Sequence, residues 1–177
     1  MAAIALLASL AAGCAAQAGR GQAVPLTYPG QLHRMRAWGF GAPGLAINLP
    51  AGYELKTTEG DGYVVHLFHK PSHAEPSDAS TLGIYVGHRP RAFRPESFTT
   101  VGFVGGQAVT WHGSTWQDQG KTLYHAETQV LHLFDAPDVW TPAARSLTVH
   151  LFAWGSSQDE VEALVEAAKS LRLDPGV

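Results

Sequence analysis

The chain has 177 residues, of which 45% are hydrophobic and only 15% charged, with a formal net charge of −3. That length suits one domain, and the apolar share is enough to cover a sizeable core. The low, slightly acidic charge argues against a nucleic-acid binder, which carries a basic excess. A single cysteine, Cys14, excludes an intramolecular disulfide.

Residues Ala2 to Ala12 form a short apolar run, A-A-I-A-L-L-A-S-L-A-A. It falls short of the ~20 residues a bilayer-spanning helix needs, and suits the apolar region of a secretory signal peptide. It ends at Leu10-Ala11-Ala12-Gly13-Cys14. This stretch resembles the lipobox of bacterial lipoproteins, in which small residues precede a cysteine at the cleavage site. The resemblance implies removal of residues 1–13, diacylglycerol on the Cys14 thiol and a further acyl chain on the new amine. Several chains together give stable anchoring where one does not. Ala15 follows the cysteine with no acidic residue beside it. By the same resemblance, that places the protein at the outer membrane of a double-membrane bacterium, facing the periplasm. An ordinary signal peptide cut after an A-x-A site, or a buried apolar helix, is the alternative. No Lys or Arg precedes Arg20, so the charged start of a signal peptide is missing.

Residues 14–27 have a tether composition with no apolar periodicity, and residues 28–175 read as a single domain. Within it, Leu45 to Leu49 is a strand closed by Pro50-Ala51-Gly52, and Tyr53 to Thr58 is the next. Glu59-Gly60-Asp61-Gly62 is a hairpin turn, because Gly and Asp tolerate positive φ. Tyr63 to His69 pairs back. After a polar loop from Pro71 to Ser80 comes a strand at Thr81 to Gly87, with Leu82, Ile84 and Val86 on one face. Pro95 to Val104 reads as a short helix or a loop. Gln107 to Trp116 and Lys121 to Phe134 are strands flanking Gln119-Gly120. A loop follows at Pro137 to Pro142, and Arg145 to Trp154 is the last strand.

The closing element is an amphipathic helix. Ser157 with Glu160 three residues on is a capping-box signature. Val161, Leu164, Val165, Ala168 and Leu171 make one apolar stripe, Lys169 and Arg172 occupy its last turns, and Pro175-Gly176 stops it. Such a stripe packs on a sheet, so the fold class is α+β: an antiparallel sheet with a C-terminal helix across it. Two segments resemble the PsbP-like superfamily of α/β/α sandwiches. One is the opening I-N-L-P-A-G-Y at Ile47 to Tyr53. The other is the close, V-H-L-F-A-W-G-S-S-Q-D-E-V-E-A-L-V-E-A-A-K-S-L-R-L, at Val149 to Leu173. The resemblance implies a protein that binds partners or assists assembly, and it carries no catalytic residue across.

The tripeptide H-L-F recurs at His66–Phe68, His132–Phe134 and His150–Phe152. Side chains alternate along a strand. Leu67, Leu133 and Leu151 would then share one face, and the three His–Phe pairs the other, half-buried. Packing or solvated histidines, a zinc site across neighbouring strands and a pH sensor all remain open. His66 and His69 point to opposite faces of one strand, and His73 lies beyond a proline. Neither H-E-x-x-H nor an H-x-H pair occurs. Neither Gly113-Ser114 nor Gly155-Ser156 completes a nucleophile elbow. Asp135 and Asp138 read as turn residues. No phosphate loop or dinucleotide fingerprint is present, so no cofactor is expected.

The one concentrated basic run is His88-Arg89-Pro90-Arg91-Ala92-Phe93-Arg94. Arg89, Arg91 and Arg94 are suited to grip a carboxylate, a lipid headgroup or an acidic protein surface, and Trp140 in a proline-flanked loop suits an interface anchor. The sequence reading is a non-enzymatic envelope lipoprotein that sits on a bilayer through acylated Cys14 and binds an unidentified protein partner. An immunity protein that blocks a secreted toxin is its sharper version. A small-ligand or metal-binding module using the histidines is the rival.

Overall fold

The structure is a computed structural model and describes residues 30–36, 42–71, 80–131, 133–134, 146–174 and 176. Ten strands and one helix account for most of them: β1 (Gln31–Met35), β2 (Gly44–Leu49), β3 (Glu54–Gly60), β4 (Tyr63–His69), β5 (Thr81–Gly87), β6 (Phe98–Val104), β7 (Gln107–Asp118), β8 (Lys121–Val130), β9 (Thr148–Gly155), α1 (Gln158–Ala168) and β10 (Arg172–Asp174). The antiparallel α+β class expected from the pattern is the one found, with the C-terminal helix packed on the sheet.

β3 to β9 form a seven-stranded sheet in the order β3-β4-β5-β9-β8-β7-β6, every neighbouring pair antiparallel. Hairpin β3–β4 turns at Asp61-Gly62, where Gly62 has φ 81°, a conformation only glycine adopts freely. A smaller sheet, β1-β2-β10, and α1 form a second layer on one face of the large sheet. Ile47 and Leu49 from β2 and Leu164 from α1 share one buried core with Phe68, Leu82, Ile84, Leu151 and Ala153 from the large sheet. Ser157 caps α1, its Oγ accepting the Glu160 N–H at 3.3 Å, while Glu160 Oε2 reaches back to Ser156. The Ser157 half of the expected capping box is therefore made, while the Glu160 carboxylate returns one residue earlier than expected, to Ser156 rather than to the Ser157 N–H.

Several boundaries differ from the sequence reading. Residues 98–104, read as helix or loop, form strand β6, because six of the seven are Phe, Thr or Val, the aromatic and β-branched types that suit a pleated strand. The helix ends at Ala168, not at Arg172. Leu171 still joins the core, but Arg172 lies in β10, paired with Ala46. That strand and β1 were too short to show a period. β8 stops at Val130, so Leu133 and Phe134 lie in a turn although both are buried.

Candidate functional site

The large sheet has a second face, turned away from α1 and the small sheet. Residues paired in register lie on the same face. Leu151 pairs with Ile84, and Ile84 with His66, so His66 and Phe68 face the core. His150 pairs with Tyr85, and Phe152 with Gly83, on the far side. The expected common face of His66, Phe68, His150 and Phe152 is therefore incorrect. The two H-L-F strands have opposite phase, and leucine is the core residue in β9 but not in β4. Phase is set by pairing across β5, which a tripeptide does not encode. His132 lies outside the described residues.

Residues 88–97 have no regular structure and run across this far face as a strap. Glu127 of β8 holds it down. Its carboxylate is only 1% exposed, accepts the Arg94 backbone N–H at 2.5 Å, and lies 3.6 Å from the Arg91 guanidinium. His150 Nε2 lies 2.9 Å from the same carboxylate, which only accepts, so the imidazole proton sits on Nε2. Phe93 stacks on His112 with ring centres 4.2 Å apart, and Arg94 lies 5.0 Å above the Trp116 ring. Gln129 donates to the Arg91 carbonyl, and the Arg89 N–H donates to the Tyr85 hydroxyl.

Between strap and sheet lies a groove of about 510 Å³. Its floor and walls are Val65, Leu67, Tyr85, Phe152 and Trp154. Its rim is Arg89, Arg91 and Arg94, with His125 and His150 at the base. Phe152 and Trp154 stack 5.5 Å apart. Phe152 lies flat over Gly83, where a Cβ would come within 2.1 Å of the ring. Gly83 is thus required by this floor, a close-approach use of glycine.

The electrostatics are sharply divided. Burial pushes His125 down to about 4 and lowers His150, in spite of Glu127 nearby. Burial also acts to raise Glu127, but the Arg94 amide and the two histidines outweigh it and leave its pKa lowered. The cluster at neutral pH is one carboxylate anion with two neutral imidazoles, under a cationic rim. His125 Nδ1 also lies 3.5 Å from Ser114 Oγ, the outer limit of a hydrogen bond.

The sequence reading named the three arginines, and the strap brings them together. It did not name Glu127, His125, Tyr85, Phe152 or Trp154. The available signal was the alternation at His125 and Glu127, which puts both on one face. Cys14, Trp140, Asp135 and Asp138 lie outside the described residues, as do residues 14–27 of the tether. Among the described residues no three His, Cys, Asp or Glu side chains are arranged to hold a metal ion, and no helix is long and apolar enough to cross a membrane.

No family model matches the chain, and no curated protein matches it. Two solved structures are similar in outline. A crystal structure from Bacteroides thetaiotaomicron VPI-5482 gives a TM-score of 0.46 at 10% identity, over 73% of this chain and 44% of that one. The chain thus spans less than half the length of that protein. The crystal structure of LpqN, described as involved in cell envelope biogenesis of Mycobacterium tuberculosis, gives 0.49 at 16% identity, over 82% of this chain and 91% of that one.

Proposed function

We propose that the chain is a lipid-anchored, non-catalytic binding module of the bacterial cell envelope, and that the arginine-rimmed groove is its recognition surface for a protein partner. The anchor rests on the lipobox-like stretch ending at Cys14, and the assignment of the domain to a PsbP-like sandwich is part of the same reading. The observation that carries the recognition site is the strap, which concentrates Arg89, Arg91 and Arg94 above an aromatic floor on a chain whose net charge is negative.

The three cations are not equivalent. Arg91 is partly satisfied by Glu127, and Arg94 lies over Trp116. Arg89 has no carboxylate partner among the described residues, so it is the cation free to take an incoming acid. An acidic side chain flanked by an apolar or aromatic one would place its carboxylate on Arg89 and its neighbour on Tyr85, Phe152 and Trp154. An immunity or inhibitor protein that engages a secreted toxin is the sharpest form of this reading. A binding role also suits the cluster below the rim. Glu127 is spent on the Arg94 amide, Arg91 and His150, and an imidazole held at about 4 is a weak base at neutral pH.

The volume of the groove, about 510 Å³, favours a second reading, a small-ligand module. Among the described residues its histidines are His125 and His150, since His66 faces the core. Zinc titration by calorimetry checks the metal form of this reading, and absence of heat at neutral pH removes it.

The test of the first reading is cross-linking in envelope preparations with wild type, Arg89→Glu and, as a control on the helix side of the sheet, Lys169→Glu. A partner that cross-links to wild type and Lys169→Glu but is lost from Arg89→Glu supports the groove. Identical partners in all three remove it.

A further inference from the structure

The large sheet ends in two edges of different character. At one edge, β3 reads E-L-K-T-T-E-G and sets Glu54, Lys56 and Glu59 along its length. Charges along an edge are a standard protection against pairing with another strand. At the other edge, β6 reads F-T-T-V-G-F-V and has no charge and no proline. Among the described residues its only strand neighbour is β7. Val101 is 75% exposed and Phe103 55%, both on the face away from the core, where they pair in register with Thr110 and Ala108. Among the described residues, one side of this strand's backbone is thus left without a strand partner beside the exposed Val101 and Phe103.

We propose that β6 pairs antiparallel with β6 of a second copy about a two-fold axis at Val101, fusing two seven-stranded sheets into one. This is independent of what the groove binds. The strand's own sequence selects this occupant. About that axis Val101 meets Val101, Thr99 of one copy meets Phe103 of the other, and Thr100 meets Gly102. The first two are β-branched and aromatic cross-strand pairs of the favourable kind. With no charge anywhere in 98–104, two copies meet without like-charge repulsion, whereas two copies of β3 would not. The arrangement is isologous, so it closes at two and leaves no new edge of the same kind. A single strand pair is small beside a standard interface, so the dimer is weak in dilute solution.

The test uses the full chain with Cys14→Ser, in which any introduced cysteine is the only thiol. Opposed residues on paired strands lie within the Cα separation a disulfide spans, about 4.4–6.8 Å. Val101→Cys should oxidise to a covalent dimer in several-fold excess over Lys56→Cys on the charged edge. A mixture of Thr99→Cys and Phe103→Cys chains should give the mixed dimer in preference to either self-dimer, which fixes the register. Val101→Glu, at a position largely in solvent, should keep the circular dichroism of the parent and lower its average mass in sedimentation equilibrium. Equal cross-linking at positions 101 and 56, or a parent that stays monomeric at every concentration, would overturn the proposal.

Discussion

Glu127 shows how much one buried side chain can organise. Its carboxylate is the point at which strap, β8 and β9 meet, through Arg94, Arg91 and His150. Glu127→Gln keeps the shape but removes the charge that draws Arg91 and that the Arg94 amide meets. Hydrogen bonds to a charged group contribute about 1.5–3 kcal/mol, so a loss of about 2 kcal/mol is expected in urea unfolding. Arg91→Gln should cost much less, because that guanidinium is more than half exposed and screened. Equal losses from the two substitutions would contradict a latch centred on Glu127. The buried histidines add a pH dependence. His66, bonded at 2.9 Å to Thr57, and His125 are both pushed down to about 4 by burial, and His150 is lowered too. Below their ordinary value of 6.5 the unfolded chain takes up protons that the fold refuses. Stability is therefore full above 6.5 and falls as the pH drops towards 4. Glu127, whose pKa is lowered, adds a further loss in the carboxylate range. Urea midpoints should fall clearly between pH 7.5 and pH 5, and His66→Gln should flatten the difference. A midpoint unchanged over that interval would refute the neutral-histidine core.

At the level of elements, what the sequence shows depends on how local the signal is. The helix start was legible, because Ser157 stands three residues before Glu160 and its hydroxyl accepts the Glu160 N–H. Ser157→Ala should destabilise the fold by about 1 kcal/mol, which for a domain of this size lowers Tm by about 2–4 °C; an unchanged melt would argue that the cap is idle. Strands β2 to β5 and β7 to β9 were legible from turn residues and alternation. β10 was not. Three residues cannot display a period, and Arg172 reads as a helix-end cation until β2 is there to pair with it. The site fell between these cases. Its arginines stand together in the chain, but its floor is assembled from β4, β5 and β9, and its latch from β8. Only the pairing register decides that His150 and Phe152 turn towards the strap while His66 and Phe68 turn away.

The whole molecule has two unlike sides. One face of the large sheet is closed by α1 and the small sheet around a continuous apolar core. The other carries the strap and groove. If Cys14 carries the anchor, Cys14→Ser should move the protein from membrane to soluble fractions and abolish palmitate labelling, with the urea midpoint of the domain unchanged. Retention in the membrane after that change would point to a different attachment.

The described chain begins and ends in the same small sheet. β1 and β10 both flank β2, and Arg34 reaches Asp174 at 3.4 Å. Anything joined to the domain at either terminus therefore departs from the layer behind the groove. A reporter or affinity handle fused after Val177 should leave the arginine side unobstructed, and the same construction allows the domain to be immobilised on a sensor with that side outward.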